Sequence, residues 1–379
     1  MIKKIIKAAA SLNITIFSLS ALFILVIIGT LKQVELGIYQ VQELYFRSFF
    51  IVFPIGDFIK IPIFPGGKLL STIIIVNLSA TIIHKKLFTK QKIGLFLAHS
   101  GLLFLFIGGA LTSYFAIESQ LVFEENETKN YSESFRDHEL AISSSSSETE
   151  ETIISIPEKL LLKSKTIAYK NLPFTITILD YFKNSKLNMK AQTGKSSNVT
   201  HGIGTQVTAK EIPIVTQDKK VNIPTLFAKI TSLSGENLGV WMISKGLGMP
   251  QTLSVDGKKY TFQLQSTRYY TPYSLTLLDF THDVYPGTTI PKNFSSLVSI
   301  SDSENTINRE SLIYMNHPLR FKGKTYYQAS FGKNDTLSIL QVVENPAWLF
   351  PYISCIIISL GLLIHFIQSL QRFRKKKNS

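Results

Sequence analysis

Three of the seven histidines in this 379-residue chain stand in apolar surroundings, where an imidazole is chemically most conspicuous. His84 closes one apolar run, His99 lies within a second and His365 within a third. An ionisable side chain in lipid is costly, so one found there tends to face a bundle interior and to be functional. His99 follows Ile93 by six residues, about 9 Å into a helix rising 1.5 Å per residue. Its neighbours Ala98, Ser100 and Gly101 are small, and Gly108-Gly109-Ala110 follow two to three turns on. Small residues let another helix or a flat ligand come close. A neutral imidazole in an apolar slot is a good axial ligand for haem iron. A histidine hydrogen-bonded to a neighbouring helix fits the same pattern, and both readings stay open. His84, beside Lys85, and His365, one to two turns before Arg372, read first as partly wet interfacial rings and second as ligands.

The remaining chemistry is sparse. His138, His201, His282 and His317 show no metal-ligand spacing. His317 precedes Pro318, which favours an extended or turn conformation at the surface. Cys355 is the single cysteine, which excludes an internal disulfide, a CxxC redox pair and a CxxCH haem-attachment site. Gly194-Lys195-Ser196 resembles the end of a phosphate-binding loop, but Met189 occupies the position of its first glycine. Gly202-x-Gly204 fails as a dinucleotide fingerprint because Val207 replaces the third glycine.

The elements that must position these residues are set by apolar runs. Hydrophobic residues make up 45% of the chain and charged ones 17%, with most of the apolar residues in Leu12–Leu31, Leu69–His84, Ile93–Ile117 and Ala347–Leu370. About 20 apolar residues span a bilayer core. The second run is shorter and carries Asn77, so its flanking lysines must reach for the interface. A net charge of +14 could suggest nucleic acid, but twelve of those charges lie in three acid-free stretches: Met1–Ala10, Lys85–Lys92 and Leu370–Ser379. Basic stretches beside spanning helices stay cytoplasmic. Four crossings with both termini inside satisfy all three, placing Lys32–Phe64 and Glu118–Pro346 outside. No small-x-small cleavage site follows the first run, so it reads as an uncleaved anchor rather than a signal peptide.

The outer segment predicts strands. Phe174–Leu179 alternates at period two, Asp256-Gly257 is a hairpin turn, and Tyr260–Gln265, Leu297–Ile300 and Leu337–Val343 are alternating or β-branched. An antiparallel β-rich sandwich or barrel-like unit is expected. Ser143–Ser147 with Glu148-Thr-Glu-Glu reads as a low-complexity solvated loop. The expected plan is an integral membrane protein with four transmembrane helices and a large β-rich extracytoplasmic domain between helices 3 and 4. Its parts are residues 1–117, 118–346 and 347–379.

These residues resemble the ResB/CcsB proteins of system II cytochrome c maturation. The similarity lies in Tyr285-Pro-Gly-Thr-Thr-Ile-Pro-Lys-Asn-Phe-Ser-Ser296, in Tyr314-Met-Asn-His-Pro-Leu-Arg-Phe-Lys-Gly323, in Tyr326-Tyr-Gln-Ala-Ser330, in Val342-Val-Glu-Asn-Pro346 and in the His99-Ser-Gly start of the third helix. Asn293 stands where that family usually has Asp. The resemblance implies one half of a holocytochrome c synthetase, not catalytic alone, that helps carry haem b across the membrane and attach it to apocytochrome c outside. It implies a ResC/CcsA-type membrane partner bearing a Trp-rich haem-presenting segment, which this chain, with only Trp241 and Trp348, lacks. It implies a bacterial cytoplasmic membrane, or a plastid thylakoid membrane, and no nucleic acid. His99 is then a candidate axial ligand to haem in transit, with His84 and His365 weaker candidates. A structural scaffold without haem contact, or a receptor or transporter subunit with a ligand-binding outer domain, are the alternatives.

Overall fold

The computed structural model describes residues 1–55, 59–145, 151–189, 198–216, 221–288, 290–302, 308–332 and 336–377. Gly194-Lys195-Ser196 lies outside them. The chain divides into a helical unit (Met1–Ile117, Thr216–Lys219, Glu344–Ser379) and a β-rich unit (Glu118–Val215, Lys220–Val343). The helices are α1 (Ile2–Ala9), α2 (Leu12–Leu36), α3 (Ile38–Val41), α4 (Gly67–His84), α5 (Ile93–Phe115), α6 (Glu158–Lys163) and α7 (Phe350–Lys377). The strands begin with β1 (Phe50–Ile55), β2 (Ile59–Pro65), β3 (Ile117–Glu124), β4 (Thr128–Ser145), β5 (Glu151–Pro157), β6 (Thr166–Ala168), β7 (Phe174–Phe182), β8 (Ser185–Met189) and β9 (Val207–Glu211). They continue with β10 (Thr225–Ser232), β11 (Asn237–Ser244), β12 (Gln251–Val255), β13 (Lys258–Val284), β14 (Pro291–Asp302), β15 (Asn308–Tyr314), β16 (Leu319–Phe321), β17 (Lys324–Gly332) and β18 (Leu337–Glu344).

In the helical unit, α2, α4, α5 and α7 are long and apolar enough to cross a membrane. α2 starts at Ser11, whose Oγ accepts the Asn13 N–H, and stops at Gly37, where φ of +80° favours a residue without Cβ. Asn77, the polar residue within α4, is 3% exposed and fully engaged. Its Oδ1 accepts from Thr15 Oγ1 (2.7 Å), and its Nδ2 donates to the carbonyls of Ala9 (2.7 Å) and Ser11 (3.0 Å). One side chain therefore ties down the end of α1 and the start of α2, which is how the amide is tolerated there. The basic N-terminal stretch, marked in the sequence by charge alone, forms the helix α1, with Ile2, Ile5 and Ile6 at helical spacing between Lys3, Lys4 and Lys7.

α5 and α7 meet through glycines. A Cβ on Gly94 would lie 2.4 Å from the His365 backbone nitrogen, and one on Gly361 would lie 2.5 Å from that of Ala98. Gly101 faces Ile358 and Gly108 faces Phe350 in the same way. The spacing of Gly94, Ala98, Gly101 and Gly108 keeps one face of α5 thin along its length. At the α7 start, Asn345 Oδ1 accepts the Ala347 N–H (2.9 Å) while its Nδ2 donates to Thr112 Oγ1 of α5 (3.2 Å).

The β-rich unit has two cores sharing two long strands. Its large antiparallel sheet runs β15-β14-β13-β4-β3-β18-β17-β16, with β12 added on β13 and β5 on β4. One half of β4 and β13 packs on the sheet β11-β10-β7-β6, burying Leu140, Ile142, Phe262 and Leu264 against Phe174, Ile176, Leu226 and Trp241. The other half curls around Phe123, Tyr273, Leu277, Val298, Ile313 and Leu340. Tyr314 and His317 exchange backbone hydrogen bonds (3.3 and 2.9 Å) in the tight turn from β15 to β16, which joins the two ends of the strand order, and side chains from β3 and β13 to β18 share one core, so this half is barrel-like. Asp256 and Gly257, with φ of +51° and +76°, make the two-residue β12–β13 turn expected from the sequence. Ser143–Ser145, expected in a loop, instead end β4 paired with Glu151–Ile153 of β5, because β5 supplies a hydrogen-bonded neighbour. Residues 146–150 of that low-complexity segment lie outside the described ones.

Candidate functional site

His99 is half-buried on α5. Its Nδ1 lies 2.8 Å from the Leu95 carbonyl one turn earlier. A carbonyl only accepts, so Nδ1 carries the proton and the neutral ring keeps its lone pair on Nε2. Nε2 has no hydrogen-bond partner among the described residues and is not sealed within the unit. A backbone carbonyl that fixes one ring nitrogen while the other stays free is the usual second shell of a metal-ligating histidine. The small residues near His99 are taken up by helix packing, since Ala98 and Gly101 lie against α7. A flat ligand would therefore approach His99 from a different face of α5.

The other two rings differ. His84 is exposed at the last residue of α4, with no side-chain bond. His365 is half-buried, its backbone against Gly94, and its Nδ1 is enclosed without a partner. Three residues on, Gln368 Nε2 donates to the Lys90 carbonyl (2.9 Å), and Arg372 reaches that of Gln91 (2.5 Å), so this end of α7 clasps the turn that opens α5. No two of these three rings stack or hydrogen-bond with each other.

At the other end of the helical unit is a cavity of about 310 Å³ between α4 and α5 that the sequence does not announce. Its walls are mostly apolar, with the hydroxyls of Ser71, Thr72 and Ser113 among them, and Lys68 and Tyr114 stand at it with the ammonium 5.1 Å from the ring centroid. The nearest sequence signal is the lysine flanking a short apolar run.

The polar groups of the β-rich unit concentrate where β4 and β13 bend between the two cores and their register shifts, after Ser266 and again after Tyr270. Arg268 Nε donates to Glu133 (3.1 Å) with its guanidinium over the Tyr131 ring, and Lys245 Nζ donates to Ser266 Oγ (2.8 Å). Burial holds the Lys245 ammonium below the usual lysine range, opposed by the nearby Glu133. Buried Glu139 accepts from Gln265 Nε2 (3.0 Å) and Ser155 Oγ (2.5 Å). His138 lies 3.9 Å from Glu158, and burial together with that carboxylate raises the Tyr181 phenol. Each pair sits in its own strand contact, and among the described residues no three His, Cys, Asp or Glu gather as a metal site.

The motif-bearing residues turn out to do structural work. Asn316 (φ +62°) and the pair Lys322 and Gly323 (φ +43° and +82°) form the turns on either side of β16. Gln328 accepts from Ser296 Oγ (2.7 Å), which also bonds Ser338 Oγ (2.7 Å), linking β17, β14 and β18 inside the barrel-like half. His317 stacks on Tyr314 at 4.6 Å, and Asn293 pairs in register with Asp283.

Residues 230–339 match the model of the ResB-like family, a stretch running from β10 into β18. The chain is also 30% identical over 103 residues to Protein NrfI of Wolinella succinogenes. That alignment takes in 27% of this chain and 11% of the relative, so the chain spans about a tenth of the curated protein it matches. The likeness to the ResB-like family is carried by residues 230–339, the stretch that closes the barrel-like half.

Proposed function

We propose that this chain serves cytochrome c biogenesis as the non-catalytic half of a haem-delivering complex, holding haem in transit through His99. The observation that carries the reading is the His99 ring itself, pinned at Nδ1 by Leu95 and offering Nε2 at the surface of the helical unit. The family match over the barrel-like half supports it. One imidazole supplies one axial position, so the second comes from a ResC/CcsA-type membrane partner. Trp241 is buried, with its Nε1 bonded to the Leu238 carbonyl, and Trp348, just before the last helix, meets Tyr352 edge-on. A tryptophan-rich haem-presenting surface is therefore the partner's contribution. Both termini lie in the cytoplasm of a bacterium, where the acid-free basic stretches stay, and the β-rich unit lies outside. There it receives apocytochrome c and shields haem by area and strand contacts.

The test is haem absorbance of the chain purified with its partner. His99→Ala is expected to lose most of the bound haem, and added imidazole is expected to restore it by filling the vacated axial position. His84→Ala and His365→Ala are expected to keep theirs. Unchanged haem in His99→Ala would make the chain a scaffold. Absence of haem from the wild-type complex, with c-type cytochromes intact after deletion, would make it a receptor or transporter subunit.

A further inference from the structure

The cavity between α4 and α5 has features that the haem-delivery reading does not use. It sits beside the first turn of α4 and the last turns of α5, walled by Ile75 and Phe106 with the Ser71 hydroxyl among its lining. Gly109 forms part of the wall, and a Cβ built there would meet nothing within 4 Å, so the space continues over the glycine. Its volume, about 310 Å³, is at the small end of ligand sites, which run from roughly 300 to 1,000 Å³.

Lys68 decides the chemistry. It is half-buried at the cavity, and its ammonium has the Tyr114 ring at 5.1 Å but no carboxylate among the described residues. The exposed ion pairs of the helical unit, Lys32 with Glu35 and Arg47 with Glu43, are self-satisfied. A lysine with no acid partner, held by a cation–π contact at the end of an apolar crevice, complements a molecule with a greasy body and an anionic head. α4 has 18 residues, and its first turn falls near the level of phospholipid phosphates if its apolar length crosses the bilayer.

We infer that the α4–α5 crevice is a binding site for an anionic phospholipid, with one acyl chain lying against Ile75, Phe106 and Gly109 and the phosphate paired with Lys68. The inference does not depend on His99, which stands about 10 Å away along α5, seven residues before Phe106. The bound lipid fills a gap that side chains leave and neutralises the one cation of that crevice.

The test uses the full chain with its partner, reconstituted in equal parts of phosphatidylglycerol and phosphatidylethanolamine, with retained lipid read by native mass spectrometry. The wild type is expected to retain phosphatidylglycerol in preference to phosphatidylethanolamine. Lys68→Met keeps the aliphatic stem and drops the charge, and is expected to lower that preference about fivefold, the worth of one lysine beside an anionic headgroup. Gly109→Leu fills the crevice without changing charge and is expected to reduce retained lipid of both kinds; Ser113→Leu does the same from the next turn. Lys85→Met, at the far end of α4, is expected to change neither. Equal lipid profiles in the wild type, Lys68→Met and both leucine variants would overturn the assignment. So would loss of haem with lipid unchanged in Lys68→Met, which gives the crevice to haem, or loss of the partner protein in both leucine variants, which gives it to a protein contact.

Discussion

A single hydrogen at Gly94 is what lets α5 touch α7, because any Cβ would enter the backbone at His365. Backbone cannot give way as a flexible side chain does, so Gly94→Leu is expected to destabilise the helical unit by about 1–3 kcal/mol. Gly109→Ala, pointing into open space, is expected to leave the melting temperature unchanged. Thermal unfolding in detergent, followed by circular dichroism, separates the two. Lys245 gives a pH signature of the same sign as the usual carboxylate effect, but at alkaline rather than acid pH. Its folded-state pKa is depressed by burial below the ordinary 10.5, so between those values the unfolded chain binds more protons and stability rises with pH. The gain appears as pH climbs through the depressed folded-state pKa towards 10.5, and Lys245→Met is expected to remove it from the difference in melting temperature. Among candidate site residues, His99 is legible because an ionisable residue inside an apolar run stands out. The Lys68 crevice is not, since its walls come from α4, α5 and the segment carrying Phe46 and Phe49, and the space lies between them.

Elements differ in how openly they declare themselves. The four apolar helices and the Asp256-Gly257 turn follow from local composition, hydrophobic length in one case and a left-handed backbone pair in the other. α1 does not, because its partner is distant in sequence, Asn77 of α4; the pair β1–β2 does not, because neither strand alternates cleanly. Asn77→Leu is expected to cost roughly 0.6–1.7 kcal/mol, the range for a polar contact between membrane helices, and to free α1. Faster proteolysis near Lys7 in the purified chain is the readout. Gly257→Val puts a β-branched residue at φ +76° and is expected to lower stability by about 1–3 kcal/mol, measured as a fall in the melting temperature. The same left-handed geometry explains Asn316 and Gly323 in the segment that resembles the family: these residues are turn formers, so the family signature in this stretch reports how the strands connect.

For the whole molecule, the fold class was legible from four apolar runs and a strand-rich segment between the third and fourth. The division of that segment into two cores was not, because alternation says which face of a strand is buried and not against which sheet. The proposed orientation has a direct check in the single cysteine, Cys355. With Cys355→Ser as background, Ser234→Cys in the β10–β11 turn is expected to react with an impermeant maleimide in intact cells. Gln91→Cys, before α5, is expected to react only after permeabilisation; reversal of the two would invert the topology. The long strands carry a last consequence. β13, at 27 residues, contributes side chains to both cores, and β4, at 18, pairs with it alongside both. Heat or force that frees one core must strip strands from the other, so the two halves melt in one transition and neither serves as a hinged flap. Whatever binds this unit must then approach along its surface.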